Sequence, residues 1–161
     1  RPLGVTVLLV THDREEAFSL ADRIAVVRDG AIVQEGAPET LYFAPTSAWV
    51  ASFVGAGTLL PGTVADGVVH TALGAFPANG ASGVAAARVL VRPEQLELRP
   101  DPSGPGEVVG REFRGHDVLY RVRLDGVELV SQRPSTEVVP LGARVTIRLH
   151  EVHAPVFAAG V

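Results

Sequence analysis

The chain has 161 residues, 47% of them apolar, and 18 acidic against 14 basic residues give it a formal net charge of −4. Every basic residue is Arg and Cys is absent, which excludes disulfides and thiolate metal centres and leaves a P-loop without the Lys it needs on the β- and γ-phosphates. No stretch reaches 18 apolar residues, so nothing reads as a membrane-spanning helix.

The opening Arg1-Pro2-Leu3-Gly4 has no initiator Met and does not lead into a signal peptide, because the apolar run behind it is short and ends in a structured motif. The expectation is a chain that begins inside a longer polypeptide. Val5 to Val10 is uncharged and contains three valines, which predicts a strand buried on both faces, as in a parallel sheet covered by helices. His12 then stands at the C-terminal end of that strand, where open α/β sheets place ligand-contacting groups. Asp13 with Glu16 three residues on has capping-box spacing, so a helix is expected over 14–21. Its apolar stripe is Ala17, Phe18 and Ala21.

Arg23 to Gln34 reads as a hairpin turned at Asp29-Gly30. Pro38 and Glu39 open a short helix, with Ala37 unable to cap it. Pro45 ends that helix, and Thr46 or Ser47 caps another that carries Trp49 and Phe53 four residues apart and stops at Gly55. An aromatic pair at that spacing is read as packing in preference to a ligand platform.

Residues 5–39, from the apolar run through Thr11-His12-Asp13 to Gly36-Ala37-Pro38-Glu39, resemble the switch-histidine segment that closes the nucleotide-binding domain of ABC transporter ATPase subunits. The resemblance implies that His12 contacts the γ-phosphate and orients the attacking water. It also implies that the phosphate loop, signature motif and catalytic Glu precede Arg1. This chain alone is then not an ATPase, although the complete subunit is one, with ATP and Mg²⁺ as its cofactors.

From Thr58 onward helical periodicity gives way to short alternating runs. Thr63-Val64-Ala65, Asp66-Gly67 and Val68 to Thr71 form a first hairpin. Ala78 to Gly83 reads as a flexible loop, Arg88 to Glu94 as a strand ended by Pro93, and Pro100 to Gly106 as an exposed loop. In Val118 to Leu124, Val118, Tyr120, Val122 and Leu124 point inward while Arg121 and Arg123 face water. Asp125-Gly126 turns into Val127 to Val130, and Arg144 to His150 alternates again. Short strands with Asp-Gly turns argue for a small barrel or sandwich.

This second part resembles the transport-associated OB (TOBE) domain that follows the ATPase domain in a subgroup of ABC importers. Val91-Arg92-Pro93-Glu94-Gln95-Leu96, Phe113-Arg114-Gly115-His116-Asp117 and Pro140-Leu141-Gly142-Ala143-Arg144-Val145 carry the likeness. They look most like the iron and polyamine branch. The expected fold class is therefore an α/β remnant of an ABC ATPase domain over 1–57, followed by an all-β OB-fold-like barrel over 58–161.

Two readings stand for Arg92, Pro93 and Glu94. By resemblance they lie where the accessory domain meets the ATPase domain or its dimer mate; from the residues alone they are a surface ion pair at a turn, worth about 0–1 kcal/mol. A metal centre would have to draw on His70, His116, Asp117, His150 and His153. His150 and His153 sit at odd spacing on a strand and no carboxylate–His cluster has zinc spacing, so no metal site is expected. Residues 58–161 hold 10 Arg against 11 Asp and Glu with scattered aromatics, which argues against nucleic acid.

These observations predict the C-terminal regulatory and dimerisation portion of an ABC importer's ATP-hydrolysing subunit, with ferric iron or a polyamine as the favoured solute. The implied partners are a second copy, membrane permease subunits and a solute-binding protein, at the cytoplasmic face of the membrane. The alternative is a stand-alone OB-like module that binds a small anion or metal.

Overall fold

A computed structural model describes residues 4–79, 81, 83–150 and 154–159. The chain divides into two compact units, residues 1–54 and 55–161.

In the first unit, residues 4–10 carry no regular secondary structure and are exposed: Val5 is 71%, Leu8 90% and Val10 89% accessible. The buried parallel strand expected there does not form. A strand requires neighbours for its backbone N–H and C=O groups, and the unit's described sheet is a two-stranded hairpin whose strands pair with each other.

Helix α1 (Arg14–Leu20) follows, capped by the Asp13 carboxylate, which accepts from the N–H groups of Glu15 and Glu16. It ends one residue earlier than expected, and its apolar stripe is half-buried. Strands β1 (Ile24–Arg28) and β2 (Ala31–Gly36) form the hairpin, with Asp29 and Gly30 both at positive φ as a two-residue primed turn demands. Helix α2 (Pro38–Phe43) starts at Pro38 without a side-chain cap. Helix α3 (Ala48–Val54) is capped by Ser47 Oγ, which accepts from Val50 N–H at 3.2 Å. Val26, Leu41, Val50 and Val54 make the core, with Phe18 and Trp49 packed on it.

Among the described residues, the regular structure of the second unit is strand apart from one short turn of 3₁₀ helix. Strands β3 (Thr58–Ala65), β4 (Val68–Thr71), β5 (Gly74–Pro77) and β6 (Ala86–Val91) come first. The 3₁₀ turn Pro93–Gln95 leads into β7 (Leu96–Pro100), β8 (Gly106–Phe113), β9 (Asp117–Leu124), β10 (Val127–Pro134), β11 (Arg144–Leu149) and β12 (Val156–Ala158). They build two five-stranded antiparallel sheets, in the orders β12-β6-β3-β4-β5 and β10-β9-β8-β11-β7.

The expected single barrel is not closed. In the second sheet the outer strands β10 and β7 are linked by a side chain, Ser131 Oγ donating to Leu96 O at 2.7 Å, where a closed barrel would carry a backbone ladder. One core cluster gathers Leu98, Val108, Val118, Tyr120, Val122 and Val145 on one face of that sheet. A larger one draws Leu60, Val69, Val89 and Val91 together with Leu96, Leu124 and Leu129 of the other sheet. In the segment expected as a flexible loop, Ala78 and Ala81 are buried in this larger cluster.

Candidate functional site

His12 lies in the exposed approach to α1, between a half-buried Thr11 and the capping Asp13. Thr11 Oγ1 accepts from Asp13 N–H at 3.0 Å, so the turn that carries His12 is hydrogen-bonded on both sides of it. The strand expected to deliver the imidazole to a sheet edge is missing. His12 therefore sits exposed just before the start of α1.

Trp49 and Phe53 stack with centroids 5.0 Å apart and an interplanar angle of 13°, and the Arg28 guanidinium sits 4.7 Å over the indole. The stack is packing within the unit, as the spacing predicts. A residue with no obvious sequence signal organises the helix pair: Gln34 on β2 is buried, donates Nε2 to Ala44 O at 3.1 Å and accepts from Thr46 N–H at 2.8 Å. One side chain thereby satisfies both sides of the α2–α3 break.

Arg92, Pro93 and Glu94 separate in environment. Arg92 and Pro93 are buried while Glu94 is exposed, so Arg92 is no surface charge at a turn. Its Nη1 donates to Gly55 O at 3.0 Å and Ala56 O at 2.9 Å. Both carbonyls belong to the second unit, which begins at Gly55.

Phe113 to Asp117 behaves as a strand end and tight turn, with Gly115 at φ +90°. Asp117 is buried: its Oδ2 accepts from the Gln132 side-chain amide and its Oδ1 is 3.8 Å from His116 Nε2. His150 stands 3.6 Å from Glu97. His70 is exposed on β4, and His153 lies outside the described residues. Among the described residues no three His, Asp or Glu side chains come together as a metal centre would require.

The exposed face of β8–β10 alternates in sign. Arg121 lies 3.7 Å from Glu128, Arg114 3.0 Å from Glu112, and a shallow cleft of about 170 Å³ runs between Arg111, Glu112, Leu119 and Arg121. Two carboxylates stay ionised below their ordinary range: Glu97 through the hydrogen bond from Arg99, and Asp101 through those from Thr146 and Ser103. The Glu97–Arg99 bond lies along β7, and those to Asp101 brace the loop that follows it.

Known proteins supply the class. Residues 89–157 match the TOBE domain family, so the second unit carries a TOBE domain. Over most of its length the chain is also similar to ATP-binding import proteins. It is 40% identical over 155 residues to the Fe(3+) ions import ATP-binding protein FbpC of Pseudomonas fluorescens, a match covering 90% of this chain and 44% of that protein. A Fe(3+) ions import ATP-binding protein of Rhodococcus jostii is 41% identical over 156 residues, 91% of this chain and 44% of that protein. The sulfate/thiosulfate import ATP-binding protein CysA of Xanthomonas campestris is 39% identical over 160 residues, 97% and 46% respectively. The chain spans less than half the length of these relatives. Its similarity is to import ATP-binding proteins that carry more sequence than this chain holds.

Proposed function

We propose that the chain is the C-terminal regulatory and dimerisation portion of a subunit that hydrolyses ATP to drive import of ferric iron. The observation that carries this reading is the similarity to Fe(3+) import ATP-binding proteins along nine-tenths of the chain, together with the TOBE match over residues 89–157. The residues that would cradle ATP and its Mg²⁺ are not in this sequence, which has no Lys for a phosphate loop. What this chain supplies to hydrolysis is His12, whose two ring nitrogens can hydrogen-bond a phosphate oxygen and a water at once.

The exposure of Val5 to Val10 supports the same reading. Five apolar residues and one Thr that find no sheet in this unit fit a strand whose partners belong to the rest of an ATP-binding domain, of the kind the relatives' remaining length would hold. No helix among the described residues is long and apolar enough to cross a membrane. The subunit then works as a homodimer, bound peripherally to permease subunits at the cytoplasmic face and fed by a solute-binding protein. The partly open β7–β11 sheet serves as an OB-like module that holds two subunits together through their cycle. Sulfate is the competing solute, because a sulfate/thiosulfate importer protein is nearly as similar.

The test is to express the longer reading frame that contains this chain and measure ATP turnover and dimer mass with and without His12→Ala. Turnover should fall by about 100-fold or more, the scale of a lost proton-handling group, with ATP affinity and dimer mass unchanged. A frame that opens just before Arg1, or a variant as active as the parent, would overturn the reading. Uptake of labelled sulfate but not iron by the reconstituted transporter would reassign the solute.

A further inference from the structure

Residues 55–57, Gly-Ala-Gly, join α3 to β3, and this composition predicts a loose connector because glycine has the most backbone freedom to lose. The structure holds it instead. Arg92 is 2% exposed, among the largest fully buried side chains of the protein, and one of its nitrogens, Nη1, is bonded to two consecutive connector carbonyls, Gly55 O and Ala56 O. Hydrogen bonds from a charged donor are roughly twice as strong as neutral ones.

Arg92 is itself fixed. Standing before Pro93 it is extended, at φ −85° and ψ 149°. Its N–H donates to the buried Gln95 Oε1 at 2.7 Å and its carbonyl accepts from Gln95 N–H at 3.0 Å. The Gln95 carbonyl in turn accepts from His150 N–H at 2.9 Å, which ties the turn to the end of β11. The residue before it, Val91, pairs with Thr58, the first residue after the connector. Gly57 leaves room for the guanidinium: a Cβ there would stand 3.2 Å from Nη1 and 3.0 Å from Leu90 Cδ1.

We propose that Arg92 is a positioning residue, a clamp that gives the passage between the two units one set backbone path. Pro93, Gln95 and Gly57 are its supports: the first two aim the side chain and the third makes space for its head. Movement of the Pro93–Gln95 turn is thereby transmitted to residues 55–57. The proposal stands independently of the transported solute and of ATP hydrolysis.

Hydrogen exchange on the whole chain, read by mass spectrometry, tests it with Arg92→Met, Arg92→Lys and Gly57→Val. Arg92→Met keeps bulk but removes the donors, and exchange in peptides covering 53–60 should rise by about tenfold or more, the equivalent of losing one net charge-assisted bond. Peptides of β8 to β10 should stay at the parent's rate. Arg92→Lys, which retains a donor head, should recover part of the protection, and Gly57→Val, which crowds the guanidinium at Nη1, should loosen the same peptides with Arg92 itself unchanged. Unchanged exchange over 53–60 in Arg92→Met would overturn the clamp. So would equal acceleration across the whole second unit, which would make Arg92 an ordinary core residue. If Arg92→Met does not fold, Gly57→Val decides alone: local loosening supports the clamp and parent-like exchange overturns it.

Discussion

Tyr120 shows how much one atom settles at the scale of a residue. Alternation along Val118 to Leu124 already predicts that it points inward, and the ring is fully buried on β9. Its hydroxyl has a task that alternation cannot show: it accepts from Val139 N–H at 3.0 Å and donates to Glu137 O at 3.2 Å, pinning the loop that leads to β11. Replacing Tyr120 with Phe keeps the ring and orphans a buried N–H. The second unit should lose about 1–3 kcal/mol, seen as a lower denaturant midpoint with an unchanged slope. An unchanged midpoint would mean that water replaces the hydroxyl. Arg92 and Gln34 belong to the same class of residue. Their sequence neighbourhoods suggest a turn and a strand, while the carbonyls and amides they satisfy lie 10 to 37 positions away.

At the scale of elements, the hairpins were legible wherever Asp-Gly occurs. Asp29-Gly30, Asp66-Gly67 and Asp125-Gly126 all adopt paired positive φ values, the conformation that matches the twist of two antiparallel strands. Strands β5, β7 and β12 were not legible. They run over Gly74–Pro77, Leu96–Pro100 and Val156–Ala158, too short or too close to Pro to show periodicity, and they exist because a neighbouring strand offers a ladder.

The Pro100–Gly106 segment mixes both cases. Its turn chemistry is evident, yet Gly104 packs directly on β11, where an added Cβ would fall 2.3 Å from the Val145 carbonyl carbon. Gly104→Ala must therefore push the loop off Val145 and strain the bond from Thr146 Oγ1 to Asp101 Oδ2, 2.7 Å in the native protein. We expect a loss of about 1–3 kcal/mol, the usual cost of overpacking, measured as a drop in the melting temperature of the second unit. A variant that melts with the parent would show that the loop backs away freely.

For the whole molecule, the two units differ in how much each can bury. Residues 55–161 contain both larger clusters and every strand of the two five-stranded sheets. Residues 1–54 bury a four-residue centre and leave Val5, Leu8 and Val10 in solvent. A polypeptide of residues 55–161 should therefore fold alone with a single cooperative melt and dispersed amide resonances, while residues 1–54 alone should not, being marginal in size and burying only a small core. Two-dimensional NMR of each piece checks this; a collapsed spectrum for 55–161 would mean that its stability depends on the first unit.

The sequence by itself determined the order of the parts: a helix capped by Asp13, a hairpin at Asp29-Gly30, two short helices, and then a change to strands at Thr58. It also carried the resemblance that the TOBE match and the import-protein relatives support. These signals are local, written in caps, turns and side-chain period, and they persist wherever the chain is placed. Only the tertiary structure decided that Val5 to Val10 has no sheet in its own unit, that the strands form two open sheets and not one closed barrel, and that Arg92 is buried on the connector's carbonyls. Each of those outcomes depends on which backbone groups meet across long stretches of chain. No local pattern encodes that pairing, because the free energy that selects it belongs to both partners together.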